Sequence, residues 1–181
     1  MNKEISEEML FEGPRFNVVR KKYISDRDGK EYIRDCVNPG DAVVILTVEN
    51  DEIIFIKQLR EVVGTVELEF PAGMIDPGEE PIDAARRELE EETGLIAEKL
   101  EKLIEYYPSC GYSSEKIYIY LARDLKQGHI KFDDTEEIID ICRVPIEEAV
   151  KMVMGGEYRH ASVSIAILMY YYRFIKGGSN E

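Results

Sequence analysis

Apolar and polar residues alternate with two different periods along this chain, and the changes of period mark its elements. Phe16 to Ile24 and Glu31 to Val37 alternate as strands do, and Asp26-Arg27-Asp28-Gly29 between them is a turn signal, so the pair predicts a hairpin. Asp41 to Val48 and Glu52 to Gln58 are strands rich in valine and isoleucine, joined by the polar turn Glu49-Asn50-Asp51. A short strand over Val66 to Phe70 runs into a loop at Pro71-Ala72-Gly73. Ile96 to Tyr107 and Ile117 to Ala122 read as further strands, separated by a loop from Pro108 to Glu115. After a strand over Ile138 to Val144 come a helix from Pro145 to Met154 and a last helix from about Ala161 to Ile175. Strands in the middle of the chain and helices late in it predict an α/β fold, a sheet sandwiched by helices.

The most informative helix lies between these groups. Pro81 suits a first helical position and Gly94 a left-handed residue just past the end, so the helix is predicted over Pro81 to Thr93. Ile82, Ala85 and Leu89 follow the spacing of a buried stripe, and the next residue on that stripe is Glu92. Glu88 stands four residues before Glu92, a like-charge spacing that destabilises a helix by roughly 0.2–0.5 kcal/mol. Glu90, Glu91 and Glu92 crowd the last turn, where each negative charge opposes the helix dipole by about 0.3–1 kcal/mol. A hard cation held by several carboxylate oxygens reverses the sign of these terms. The alternative is a solvated acidic helix in which Arg86 and Arg87 pair with Glu90 and Glu91 at four-residue spacing.

A longer pattern encloses this helix. Gly73, Glu79, Arg87, Glu88, Leu89, Glu91, Glu92, Gly94 and Leu95 fill every fixed position of the Nudix box: Gly, five residues, Glu, seven residues, then Arg-Glu-apolar-any-Glu-Glu-any-Gly-apolar. The chain therefore resembles the Nudix hydrolases, which cut a pyrophosphate linking a nucleoside to another group. Four phrases resemble one branch, the ADP-ribose pyrophosphatases. They are Gly29-Lys30 with Ile33-Arg34-Asp35, Lys57-Gln58-Leu59-Arg60, Glu69-Phe70-Pro71-Ala72-Gly73, and Ser109-Cys110-Gly111-Tyr112-Ser113-Ser114-Glu115. The chain departs from that branch at Cys110, where its members usually carry proline.

The resemblance implies an α/β/α sandwich with a mixed sheet and a magnesium cofactor, or manganese in its place. It implies Glu88, Glu92 and the backbone carbonyl of Ala72 as metal ligands, with Glu91 as ligand or base and Arg87 holding Glu91. Glu79, near the helix start, is expected to play a structural part. Late in the chain the branch carries an acidic loop with a base and a further metal ligand. Here the loop reads Asp133-Asp134-Thr135-Glu136-Glu137-Ile138. Ungapped alignment puts Glu137 at the metal position and Thr135, which cannot act as a base, at the base position. Either Glu136 or Glu91 then takes that role. Arg34 and Arg60 match the arginines that hold the diphosphate, and Glu115 matches the acid that touches the terminal ribose.

Composition narrows the readings further. A net charge of −14 argues against wrapping nucleic acid, whose backbone requires a basic face. It leaves room for a small phosphorylated substrate. The start, Met-Asn-Lys-Glu-Ile-Ser-Glu-Glu, lacks the basic and apolar regions of a signal peptide, and the longest apolar-aromatic run, Ile165 to Tyr172, is too short to span a bilayer. A cytoplasmic location without a membrane partner is expected. Cys36, Cys110 and Cys142 have no CxxC spacing and are expected as reduced core fillers. His129 and His160 are expected at the surface or as helix caps, and Tyr170 to Tyr172 with Phe174 as packing surface.

The expected organisation is residues 1–40 as N-terminal strands exchanged or packed in a homodimer, 41–176 as the hydrolase domain, and 177–181 as a disordered tail. The expected reaction is magnesium-dependent hydrolysis of ADP-ribose or a related nucleoside diphosphate sugar. Hydrolysis of nucleoside triphosphates or dinucleoside polyphosphates, and a nucleotide-sensing domain without catalysis, are the competing readings. Presence of Glu88, Glu91 and Glu92 speaks against the sensor.

Overall fold

The computed structural model describes residues 2–129 and 138–177. The chain groups into two compact units, Met1–Asp41 with Tyr106–Ile117, and Ala42–Glu105 with Tyr118–Glu181.

The first unit holds a three-stranded antiparallel sheet in the order β1 (Lys3–Glu12), β2 (Asn17–Ile24), β3 (Glu31–Asn38). The expected turn is present, with Gly29 at φ 68° donating its N–H to the Ser25 carbonyl at 2.9 Å. Strand β1 was not expected. All ten of its residues are exposed, and bulges between Glu4 and Ser6 and between Met9 and Phe11 interrupt its alternation, so no buried period marks it in the sequence. Residues 109–115 belong to this unit and are tied to β3: Val37 donates its N–H to the Tyr112 carbonyl at 2.8 Å, and Ser114 donates back to the Val37 carbonyl at 3.0 Å.

The second unit is an α/β structure. Its sheet contains β4 (Ala42–Glu49), β5 (Glu52–Arg60), β6 (Thr65–Glu69), β7 (Ala72–Met74), β8 (Leu95–Tyr106), β9 (Ile117–Gln127) and β10 (Ile138–Pro145). The main path runs β10-β5-β4-β9-β8, with β6 paired to β5 and β7 to β4. Asn50 and Asp51 turn β4 into β5 at φ 51° and 62°, the left-handed region that Asn and Asp tolerate best among non-glycine residues.

Strand β4 explains the layering. Val43 and Ile45 join a cluster with Ala84, Ala85 and Leu89 of helix α1 (Pro81–Thr93). Side chains alternate along a strand, so Val44, Leu46 and Val48 face the other way, and they are buried as well. Helix α3 (Ala161–Tyr170) packs on β4, and α2 (Ile146–Gly155) on β5 and β10. A strand apolar on both faces needs cover on both, which accounts for the near-continuous Val-Val-Ile-Leu run. The expected Pro71-Ala72-Gly73 loop is shorter than predicted, because Ala72 to Met74 pair with β4. Strand β9 continues past Ala122 to Gln127, and the last helix changes to π geometry over Tyr171–Lys176.

The expectation of cysteine core fillers is not met. Cys110 is exposed, and Cys36 and Cys142 are only partly covered; all three are free thiols. The packing surface expected of the last aromatics divides: Tyr170 is buried at 7% exposure, while Tyr172 is 58% exposed. Of the tail expected at 177–181, residues 178–181 lie outside the described residues.

Candidate active site

Helix α1 begins and ends as its sequence dictates. Pro81 opens it, and Gly94 closes it at φ 68° with its N–H donated to the Glu90 carbonyl at 2.8 Å. The face that buries Ala84, Ala85 and Leu89 also buries two acids, Glu88 at 6% exposure and Glu92 at 1%. The helix has no basic residue in its last turn to offset them. Burying a carboxylate costs several kcal/mol unless a partner compensates.

Glu92 is engaged from the sheet side. Its Oε2 accepts the Ala72 N–H at 3.0 Å, joining the helix end to the segment that follows β6. That segment is anchored in turn, since the Pro71 carbonyl accepts the N–H of Ile45 at 2.8 Å. Glu88 fills the space beside Gly73, where a methyl group would overlap its carboxylate. Glycine at 73 is therefore a requirement of the Glu88 position.

Arg87 is the cross-link of the site. Its Nε and Nη2 donate to the two oxygens of Glu79 at 3.0 and 2.9 Å, and Nη2 also donates to the Met74 carbonyl at 3.0 Å. Nη1 donates to Glu88 at 2.5 Å and to Glu91 at 3.3 Å. The Arg87 hydrogen bonds hold the Glu79 carboxyl below the usual carboxylate range, and the same bonds raise the guanidinium. Glu79 also accepts the Asp76 N–H at 3.1 Å, which fixes the loop before the helix. Arg86 does not reach Glu90 as the solvated-helix alternative required; it pairs with Asp83 at 3.1 Å.

One guanidinium thus meets three carboxylates, Glu79, Glu88 and Glu91, with the buried Glu92 one helical turn beyond Glu88. Among the described residues no three His, Cys, Asp or Glu side chains are gathered as a metal-holding group. The donor chemistry nevertheless fits a hard divalent cation: carboxylate oxygens on one helix edge, and a glycine that leaves room for one of them.

Contacts thus bring together Ala72 with Glu92, and Arg87 with Glu88 and Glu91. Arg60 makes a different connection, donating through Nε and Nη2 to the two oxygens of Glu69, both at 2.7 Å. Arg34 and Glu115 belong to the first unit. There Arg34 lies over the Tyr32 ring at 4.9 Å and donates to the Ile33 carbonyl at 3.0 Å. Glu115 donates its backbone N–H to the Ser113 hydroxyl at 3.2 Å, and its carboxyl is raised by burial and by nearby Asp41. Glu136 and Glu137 lie outside the described residues.

Sequence reading overlooked Glu69. It is 5% exposed, and besides Arg60 it faces His160 Nε2 at 3.3 Å. A carboxylate between Leu68 and Phe70, at the end of a strand entering the box, was the available signal. His160, expected as a surface or capping residue, takes the cap position of α3 without a side-chain cap bond.

Comparison with known proteins follows the same residues. A NUDIX domain model matches residues 38–164. The chain is 35% identical over 170 residues to an ADP-ribose pyrophosphatase of Bacillus subtilis (strain 168), covering 91% of this chain and 90% of that protein. It is 30% identical over 167 residues to a methanol dehydrogenase activator of Bacillus methanolicus, again covering 91% and 90%. The crystal structure of an ADP compounds hydrolase matches with a TM-score of 0.85 at 25% identity, over 99% of this chain and 97% of that one.

Proposed function

The chain belongs to the Nudix hydrolase family, and on that premise we propose that it hydrolyses the pyrophosphate bond of ADP-ribose or a related nucleoside diphosphate sugar, giving a nucleoside monophosphate and a sugar phosphate. One observation carries the reading: two acids, Glu88 and Glu92, are buried on the helix edge that meets Ala72 and Gly73. Apolar residues of similar size would serve packing better, so the acids answer to a ligand. The ADP-ribose pyrophosphatase relative supplies the substrate class. The activator relative is nearly as similar, so the choice rests on Arg34, Arg60 and Glu115 as well as on overall identity.

In this reading Glu88, Glu92 and the Ala72 carbonyl would hold the cation, with Glu137 as a further ligand. The cation is magnesium, with manganese able to replace it. When bound, such an ion neutralises the diphosphate and makes water more acidic. Arg87 keeps Glu91 and Glu88 in position through its two Nη1 contacts. A water oxygen forms a bond to one phosphorus, the bond from that phosphorus to the bridging oxygen breaks, and Glu136 or Glu91 accepts the water proton. Arg34 and Arg60 bind phosphate oxygens, a task suited to guanidinium, and Glu115 accepts from the ribose hydroxyls.

The same proposal takes residues 41–176 as the hydrolase domain and residues 1–40 as strands that pack in a homodimer. Support comes from β1, whose Met9 and Phe11 are each about half exposed, at 51% and 50%, along an edge strand that a second copy can cover. We place the enzyme in the cytoplasm acting on a small-molecule substrate, with neither nucleic acid nor membrane as partner. Among the described residues no helix is long and apolar enough to cross a membrane.

The test is a panel of ADP-ribose, ADP-glucose, GDP-mannose and a dinucleoside tetraphosphate, assayed with magnesium and with a chelator. A nucleoside diphosphate sugar should be cleaved fastest, and the chelator should stop it. Glu92→Gln should lower turnover by about a hundredfold or more while the protein remains folded. Failure to cleave any panel member, or full turnover by Glu92→Gln, would overturn the reading.

A further inference from the structure

The hairpin of β5 and β6 carries an acid that none of the assigned roles uses. Glu67 and Glu69 point to one face of β6, and both side chains are covered, at 11% and 6% exposure. Glu67 accepts from the Thr65 hydroxyl at 2.6 Å and from Arg159 at 3.3 Å, which explains it as a tie between the hairpin and the start of α3. Glu69 differs, because its principal partner is one of the arginines assigned to the diphosphate. Arg60 grips both its oxygens at 2.7 Å, while the Arg60 side chain keeps 40% of its surface exposed.

Register shows that this grip is not a simple cross-strand pair. On the ladder Glu69 stands opposite Ile56 and Arg60 opposite Thr65, so the Arg60 side chain reaches back along the hairpin to find Glu69. The bidentate contact fixes the plane of the guanidinium, since two parallel N–H donors must both aim at the carboxylate. It also divides the five donors. Two of the five, one on Nε and one on Nη2, go to Glu69.

Stability alone gives a weak reason for such a pair. Replacing a buried ion pair with apolar residues is often neutral or stabilising, whereas removing one partner leaves a buried charge behind. A pair with its acid buried and its base only part-covered has the layout of a mount: the buried carboxylate sets the plane of the guanidinium.

From these contacts we propose that Glu69 is a positioning residue for Arg60, fixing the plane in which its guanidinium is held for the diphosphate of the substrate. His160, at 3.3 Å from the same carboxylate, and the buried end of β6 hold Glu69 itself in place. The inference rests on the assignment of Arg60 to the diphosphate, and it adds the residue that makes Arg60 effective. It predicts that Glu69 acts on binding through Arg60 and through nothing else.

The experiment is a double-mutant cycle in the full-length protein, with KM and kcat measured separately on the panel substrate cleaved fastest. Glu69→Gln keeps the shape, loses the charge and turns an amide N–H₂ toward the guanidinium. It should raise KM by about tenfold to a hundredfold, the range for one hydrogen bond to a charged group, while kcat holds. Arg60→Ala should raise KM at least as much, and the double variant should be no worse than Arg60→Ala alone. Arg60→Lys should not restore KM, because an ammonium cannot make the two-point contact. Full additivity of the two effects on KM, or an unchanged KM in Glu69→Gln beside a raised KM in Arg60→Ala, overturns the inference and leaves the function standing. An unchanged KM in Arg60→Ala overturns the inference together with the diphosphate role of Arg60. If Glu69→Gln does not fold, Glu69→Asp keeps the buried charge and draws the guanidinium back by one methylene; the same rise in KM is expected, and an unaltered KM overturns the proposal.

Discussion

Gly73 and Glu88 compete for one space: the carboxylate occupies the volume that any side chain at position 73 would need. The glycine is set by its neighbour and not by its own backbone, which is outside the positive-φ group.

Gly73→Ala should therefore act as a mutation of Glu88. The added methyl must displace the Glu88 carboxylate. Loss of a supporting contact around a metal ligand typically costs 10–100-fold in metal affinity or activity, and about that loss is expected here. A magnesium titration of turnover should show a higher metal requirement in the variant. An unchanged titration would mean that Glu88 does not contribute to metal binding.

Arg87→Ala should weaken the fold by about 1–3 kcal/mol, because the part-buried Glu79 and the buried Glu88 lose a charged partner. The deficit should shrink when magnesium is added, since a bound cation relieves repulsion among the same carboxylates. Chemical denaturation with magnesium and with chelator measures both. A deficit that is the same in both conditions would separate Arg87 from the cation.

Glu115 has a raised carboxyl, chiefly from burial and then from Asp41, so its charged form is disfavoured in the folded chain. The sign follows directly: its contribution is most favourable below the ordinary glutamate value of about 4.3 and is lost as pH rises through the higher folded value. Glu115→Gln should melt at a higher temperature than the parent near neutral pH, with the difference closing toward pH 4. It should also raise KM for the sugar nucleotide if the carboxylate receives ribose hydroxyls. A melting difference independent of pH would show that ionisation of this group does not limit stability.

Local rules made α1 legible down to its ends: Pro81, Gly94 and the stripe that runs into Glu92 are all within one helix. The valine-rich β4 announced its double burial in the same way. Where the signal failed, the cause was distance or exposure. Strand β1 buries nothing, so selection for an apolar face left no period to read. Strand β7 has three residues, fewer than any alternation needs. Arg86 chose Asp83 over Glu90, two options that spacing ranks as equals. The Arg60–Glu69 contact depends on a hairpin register that brings residues nine apart to one place, so the phrase containing Arg60 pointed to a phosphate and left its carboxylate partner unseen.

The hydrogen bond from Ile45 to Pro71 has a consequence for observing the protein at work. Ile45 is wholly enclosed in the central strand, yet its amide proton rests on the carbonyl one residue before Ala72, which itself reports to Glu92. An ion taken up at Glu92 would act on one end of that short relay, and the Ile45 amide lies at the other. The amide resonance of a single interior isoleucine is therefore the expected gauge of occupancy, to be read as a shift on adding magnesium without any label on the ligand.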